Sequence, residues 1–323
     1  MGRLLRLSLL ALLAWVAVAP APAHAGWVRS RVPRSDGSYC GTCEQLFWCG
    51  VRSLGGAYPN RKVPFTINEA GSKDAGATAS IEAARQSFSA WSAPVCTDLE
   101  FVDQGTSPRY DIGYAQTATD NLNLVVWRES SCSRAAPAGA ECFQTGGCNN
   151  LYDCWEGSLQ TIALTTTTFN NKTGEVLDAD IELNGAGFVF STVDGAACSS
   201  PPPRPATNCV ATDVRNTLTH EIGHIVGLDH PDLSPESTVD HTNDREDTMY
   251  SSASLGDTNK RTLHQDDIDG LCAIYPKDVK TPACLKPEDL RGDCGCSTAG
   301  APLAGLSAAL FALLGVSRRR RNP

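Results

Sequence analysis

Eleven consecutive residues, His220-Glu-Ile-Gly-His-Ile-Val-Gly-Leu-Asp-His230, hold three imidazoles, two carboxylates and two glycines. Residues four apart on a helix lie one turn above each other, so His220 and His224 would aim their rings at one point. Gly227 falls where such a helix would end, and glycine readily takes the left-handed backbone that turns a chain back, carrying His230 in as a third ligand. Three protein ligands with a position left for water is the pattern of catalytic zinc, which lowers the pKa of that water from about 15.7 to about 7. Glu221, rotated about 100° from His220 around the helix, would reach the water without binding the ion. As general base it would take the proton of the attacking water and pass it to a leaving amine, which makes peptide hydrolysis the expected reaction. The whole pattern arises by accident in on the order of one chain in a hundred thousand.

The elements around this stretch must hold it. Residues 213–226 read as a helix, with Val214, Leu218, Ile222 and Ile225 or Val226 on one side and Thr212 or Asp213 as its cap. Residues 62–68 alternate as a half-buried strand does, and the apolar residues of 79–91 recur at spacings of three and four, as on one helix face that Pro94 stops. Residues 99–102, 111–114 and 122–128 have strand-like content. Residues 159–169 and 175–183, separated by Asn170-Asn-Lys-Thr-Gly174, read as a hairpin or as consecutive strands, and the proline-rich residues 193–209 as a loop bracketed by Cys198 and Cys209.

Composition bounds the rest. The 323 residues carry a formal net charge of −9, which argues against a nucleic-acid partner. Arg3 and Arg6 before an apolar run, then Ala23-His24-Ala25, outline a signal peptide over residues 1–25; the run is shorter than the roughly 20 residues a membrane span needs. Fourteen cysteines fit an oxidising compartment. Cys40, Cys43 and Cys49 lie in a cysteine-rich segment, residues 26–57, and Cys132, Cys142, Cys148 and Cys154 form a second cluster. Both clusters read as disulfide-stapled loops of undeducible connectivity; a second zinc at Cys40-Gly-Thr-Cys43 is the alternative, although no second pair at finger-like spacing follows. His241 and His264, outside the triad, read as surface or satisfied polar residues.

The eleven-residue motif resembles the metzincin signature, and within it the matrixins, over about residues 62–276. The resemblance implies an α+β catalytic domain, residues 58–276, with a twisted, mostly parallel sheet of about five strands, an active-site helix and a C-terminal helix. It implies a methionine turn beneath the zinc, for which Asp247-Thr-Met-Tyr250 offers Met249, and a last helix whose paired acids are Asp266 and Asp267. Asp178-Ala-Asp-Ile-Glu-Leu183 is similar to the edge strand above the cleft, against which an extended substrate would pair. Structural calcium or a second zinc is common in the family; Asp178, Asp180 and Glu182 could serve a cation, and strand alternation explains them equally well. Two positions depart from the matrixin pattern: Pro231 stands where a serine often follows the third histidine, and Ser251 where a proline is expected after Met-Tyr. Cys49-Gly-Val51 is a faint echo of the propeptide cysteine motif, and a latency switch there would use its thiolate.

The chain's end carries a second address. After a spacer, residues 277–293, the stretch 294–323 holds Cys294-Gly-Cys296, an apolar run and four arginines. It reads as a tail anchor, or resembles the C-terminal sorting signal of myxobacterial surface proteins, in which a sorting protease cuts the tail and a cysteine, here Cys296, becomes lipid-attached. The expectation is an exported, monomeric zinc endopeptidase, at the cell surface or outer envelope or extracellular, acting on protein or peptide substrates and meeting a membrane only through this tail. The alternative is a surface binding or adhesion module on the same scaffold with weak or no turnover.

Overall fold

The computed structural model describes residues 27–30, 61–118, 120–169, 176–233 and 245–278. Its centre is a five-stranded sheet built from β2 (Lys62–Asn68), β3 (Glu100–Ser107), β4 (Leu124–Trp127), β5 (Ala163–Phe169) and β6 (Val176–Leu183), a short β1 (Val28–Arg29) lying outside it. The strand order is β3-β2-β4-β6-β5, with every neighbouring pair parallel except β5 and β6. The α+β class and the mostly parallel sheet of five strands thus agree with the sequence reading, and residues 159–169 and 175–183 do supply a hairpin pair.

Two helices cover one face. Helix α1 (Ala77–Ser92) buries Ile81, Ala84, Phe88 and Trp91, the predicted stripe. The site helix is α5 (Val214–Ile225), preceded by three four- or five-residue helices, α2 (Cys132–Ala135), α3 (Cys142–Thr145) and α4 (Cys148–Tyr152). Phe65 of β2 stacks on Phe88 at 3.8 Å between ring centroids, and the core continues through Ile181 and Leu183 to Leu218 and Ile222 of α5. The Trp91 indole donates to the Thr219 carbonyl at 2.8 Å, pinning α1 to α5. A last helix, α6 (Gln265–Ile274), is tied to the exit of α1 by the Cys96–Cys272 disulfide.

The opposite face is polar and also covered. The connector from β4 to β5 carries α2 to α4 and two disulfides, Cys132–Cys154 and Cys142–Cys148. Arg128, fully buried, donates to Glu182 at 2.7 Å and to Asp153 at 2.9 Å. Cys198 and Cys209 join across the proline-rich loop they bracket. The cysteines at 40, 43 and 49 and in the tail lie outside the described residues, as does His241.

Two expectations are corrected. Residues 111–114 form no strand: the N–H and C=O of Ile112 are taken by the Asn150 side chain at 2.9 and 2.8 Å, and Gly113, at φ 107°, donates to Asp180, so the ladder has no partner there. The second concerns the sheet edge. Asp178 to Leu183 lie on an inner strand, between β4 and β5, and the edge is β5. Acids alternating with apolar residues look like a strand with one solvated face, but the loop between β3 and β4, whose Gly113 meets Asp180, and the stapled connector, whose Asn149 meets Glu182, cover that face and leave Asp178, Asp180 and Glu182 each under 6% exposed. Among the described residues no helix is long and apolar enough to cross a membrane.

Candidate metal centre

Helix α5 starts where Asp213, from the two-residue strand β8 (Thr212–Asp213) paired with β7 (Phe190–Ser191), accepts the Asn216 N–H at 2.8 Å. Arg261 holds the same carboxylate from outside the helix. Val214, Leu218, Ile222, Ile225 and Val226 face the core, while His220 is turned toward Thr248 and His224 toward the loop that follows the helix. The helix ends at Gly227, φ 93°, and β9 (Leu228–Asp229) carries the chain back to His230.

The three histidines come together. His230 Nε2 lies 3.0 Å from His220 Nε2 and 3.1 Å from His224 Nε2. His220 Nδ1 lies 2.7 Å from the Thr248 carbonyl and His224 Nδ1 3.0 Å from the Leu228 carbonyl. A carbonyl only accepts, so both Nδ1 atoms carry the protons and both Nε2 atoms present lone pairs to His230, which has at most one proton to offer there. Three nitrogens about 3 Å apart suit a tetrahedral ion at about 2.0–2.1 Å from each, and backbone carbonyls that hold the other ring nitrogen and fix the tautomer are what such ligands use. The donor set therefore fits zinc. Among the described residues this is the cluster in which three ligand side chains converge. Burial first, then Lys260 and the neighbouring rings, drives the pKa values of His220 and His230 far below the ordinary range, keeping both neutral and able to bind a cation.

Glu221 is buried beside them. Its Oε2 accepts the Thr165 hydroxyl of β5 at 2.6 Å, so the edge strand itself holds the carboxylate. Burial raises the Glu221 pKa, against the pull of His224 and of Thr165.

Beneath the rings, residues 247–250 form a turn closed by the Tyr250 N–H to the Asp247 carbonyl at 3.2 Å, with Met249 buried. A Cβ on Gly223 would lie 2.0 Å from the Met249 sulfur, so the second variable position of the histidine motif must be glycine for the turn to pack there. Of the paired acids, Asp267 is fully buried and accepts the N–H groups of Thr248 at 3.0 Å and Met249 at 3.2 Å, pinning the turn that supplies the carbonyl for His220. His264 stands apart from the triad, pairing with Asp247 at 2.8 Å.

Three contributors have no local signature in the sequence. Thr165 sits in a run of four threonines, where only the period-two alternation separates the buried 165 and 167 from their neighbours. Ser30 lies 198 residues from Leu228, yet its hydroxyl donates to the Leu228 carbonyl at 2.9 Å, and β1 pairs antiparallel with β9, backing the segment that delivers His230. Asp232 is the third: it accepts the N–H of Ser251, the residue after the methionine turn, at 2.9 Å. The acids of β6 are engaged otherwise: Glu182 with Arg128 and Asn149, Asp180 with the N–H groups of Gly113 and Leu124.

A helix giving two histidines and a glycine reversal giving the third thus form a cluster that could hold a metal ion, with a buried glutamate beside it. Residues 154–276 match the family model of Peptidase M10, the matrixins. The matched stretch runs from the connector through β5, β6 and α5 to α6 and supports a matrixin-like, zinc-dependent metallopeptidase. No curated protein matches the chain.

Proposed function

We propose that the chain is an endopeptidase that hydrolyses internal peptide bonds of proteins, with His220, His224 and His230 holding zinc and Glu221 as general base. The observation that carries this reading is the convergence of three imidazole lone pairs beside a carboxylate fixed by the edge strand. Zinc held there would polarise the scissile carbonyl and acidify the attacking water. Glu221 takes the water's proton and returns it to the leaving nitrogen, and Thr165 keeps the carboxylate aimed through this cycle. An extended substrate adds to β5, the edge strand, by main-chain hydrogen bonds; this favours chains over small amides.

Export, and attachment through Cys296 and the basic tail after cleavage by a sorting protease, belong to the same reading. They are supported by the leader and tail patterns and by the four disulfides among the described residues.

Casein digestion by the mature protein tests the peptidase reading, run with and without a zinc chelator and with Glu221→Ala. Cleavage is expected to fall at least about a hundredfold in both cases. Equal rates in all three samples would remove the reading.

A further inference from the structure

Thr165 meets the histidine site with its side chain and the open edge of the sheet with its main chain. The Asn184 N–H donates to the Ile162 carbonyl at 2.9 Å, one step before the Ala163–Leu183 pair, so these two residues form a hydrogen-bonded pair of the β5–β6 ladder. In an antiparallel ladder such pairs alternate with pairs whose N–H and C=O groups point away from each other. Counted along the register from Ile162, the pair Thr165–Ile181 is of the second kind. Strand β6 agrees, for the Leu183 carbonyl, two residues past Ile181, turns toward β4 and accepts the Arg128 N–H at 2.8 Å. The N–H and C=O of Thr165 therefore face away from β6, on the side where β5 ends the sheet. An extended peptide added to this edge would pair with them.

The same residue holds the base. Its buried hydroxyl lies 2.6 Å from Glu221 Oε2 and 3.1 Å from the Glu221 carbonyl. It has one proton for these two acceptors, so a small shift of Oγ1 moves the bond from the carboxylate to the carbonyl. The place of Oγ1 depends on χ1, which in a β-branched residue is restricted and follows the φ and ψ of its own backbone. An unpaired edge leaves that backbone freer than a paired one does. Pairing on the outer side thus reaches the carboxylate through a single residue.

Resting on the endopeptidase reading, we propose that Thr165 couples substrate docking to the aim of Glu221: a peptide laid along β5 fixes the Thr165 main chain, and the Thr165 hydroxyl then fixes the carboxylate. Turnover rises with the length of chain paired to the edge, because binding energy gained far from the scissile bond is realised at the reacting centre. Short amides that do not reach the edge meet a base with a looser aim. Thr165 is a positioning residue, since its hydroxyl acts through Glu221.

The test pairs a short capped peptide, which spans the scissile bond alone, with a long one of the same centre that covers β5. Both are cleaved by zinc-loaded wild type, Thr165→Val and Thr165→Ser. In the wild type kcat should be about tenfold higher for the long peptide. In Thr165→Val, which keeps shape and main chain, that ratio should fall below about twofold, while the ratio of KM values changes by less than about twofold. Thr165→Ser, a hydroxyl on a freer side chain, should fall between them. A wild-type ratio retained in Thr165→Val, or in Thr165→Ser if the valine variant does not fold, would overturn the coupling, as would a kcat loss equal for both peptides. Metal-free protein gives a second readout without cleavage. There the Glu221 carboxylate band, isolated as the infrared difference between wild type and Glu221→Gln, should shift on adding the long peptide, not on adding the short one, and should stay fixed in Thr165→Val. Should zinc-loaded wild type cleave neither peptide, the endopeptidase reading falls, and the infrared band still judges the coupling: no shift with the long peptide refutes it.

Discussion

The sheet separates two triplets that look alike on paper. On the helical side, His220, His224 and His230 bring three ring nitrogens together, with the Nδ1 protons of His220 and His224 committed to backbone carbonyls. On the other, Asp178, Asp180 and Glu182 line up on β6, but Glu182 meets the Arg128 guanidinium and Asp180 meets two backbone N–H groups. Both triplets are groups of metal-ligating residue types at regular spacing. What separates them is the supply of donors: Glu182 and Asp180 are matched within the protein, whereas the His220 and His224 lone pairs converge on a third imidazole that has at most one proton to give, a shortfall that a cation meets. A ligand triplet is a site when the fold aims its unmatched acceptors at one common point.

The comparison can be broken at four points. Glu221→Gln keeps shape while removing the base, so kcat in a casein or peptide assay should fall about 10²–10⁴-fold with zinc content unchanged; an intact rate would mean that the helical triplet works without this base. On the other face, Arg128→Met leaves Glu182 buried without its counter-charge, which costs about 3–5 kcal/mol, and thermal unfolding should show a Tm drop of roughly 10 °C. A smaller loss follows from Gly223→Ala, whose new methyl collides with the Met249 sulfur and should cost about 1–3 kcal/mol in chemical denaturation. Weaker zinc retention would accompany that displacement, because the same turn carries the carbonyl that orients His220.

The last point is a gain. Asp178 and Asp180 have pKa values raised by burial first and, at Asp180, next by the neighbouring Asp178 carboxylate, and one Asp178 oxygen is buried without a hydrogen-bond partner. An acid whose folded pKa exceeds its unfolded one is stabilising only while protonated, so this contribution is full below about pH 4 and disappears as pH rises through the raised folded values. Asp178→Asn should therefore stabilise the protein by about 1–3 kcal/mol at pH 7, with a difference from wild type that closes toward pH 4. Tm measured across that range checks the slope; a constant offset would mean that Asp178 does not change its protonation between pH 4 and pH 7.

The sequence made some of this visible because the signals were local. The histidine spacing, the glycine that ends α5 and the apolar stripe on each long helix are all written within a few turns of chain. The inner position of β6 was not legible, because whether an acid-bearing face meets water depends on a connector stapled by two disulfides tens of residues earlier. The same holds for Thr165 at Glu221, for Ser30 at Leu228 and for Cys96 with Cys272, partners that strand order brings together and no local pattern records. Met249 could be picked out by its distance from the triad, whereas the need for glycine at 223 beneath it emerges only from packing.

The central claim is that three imidazoles grip one zinc ion. Metal content by elemental analysis of purified protein, paired with X-ray absorption at the zinc edge, addresses it directly. One zinc per chain with three nitrogen neighbours at about 2.0–2.1 Å, lost in His224→Ala and kept in Glu221→Gln, is the expected result. Metal-free protein under zinc excess, or a full equivalent still bound in His224→Ala, would contradict it.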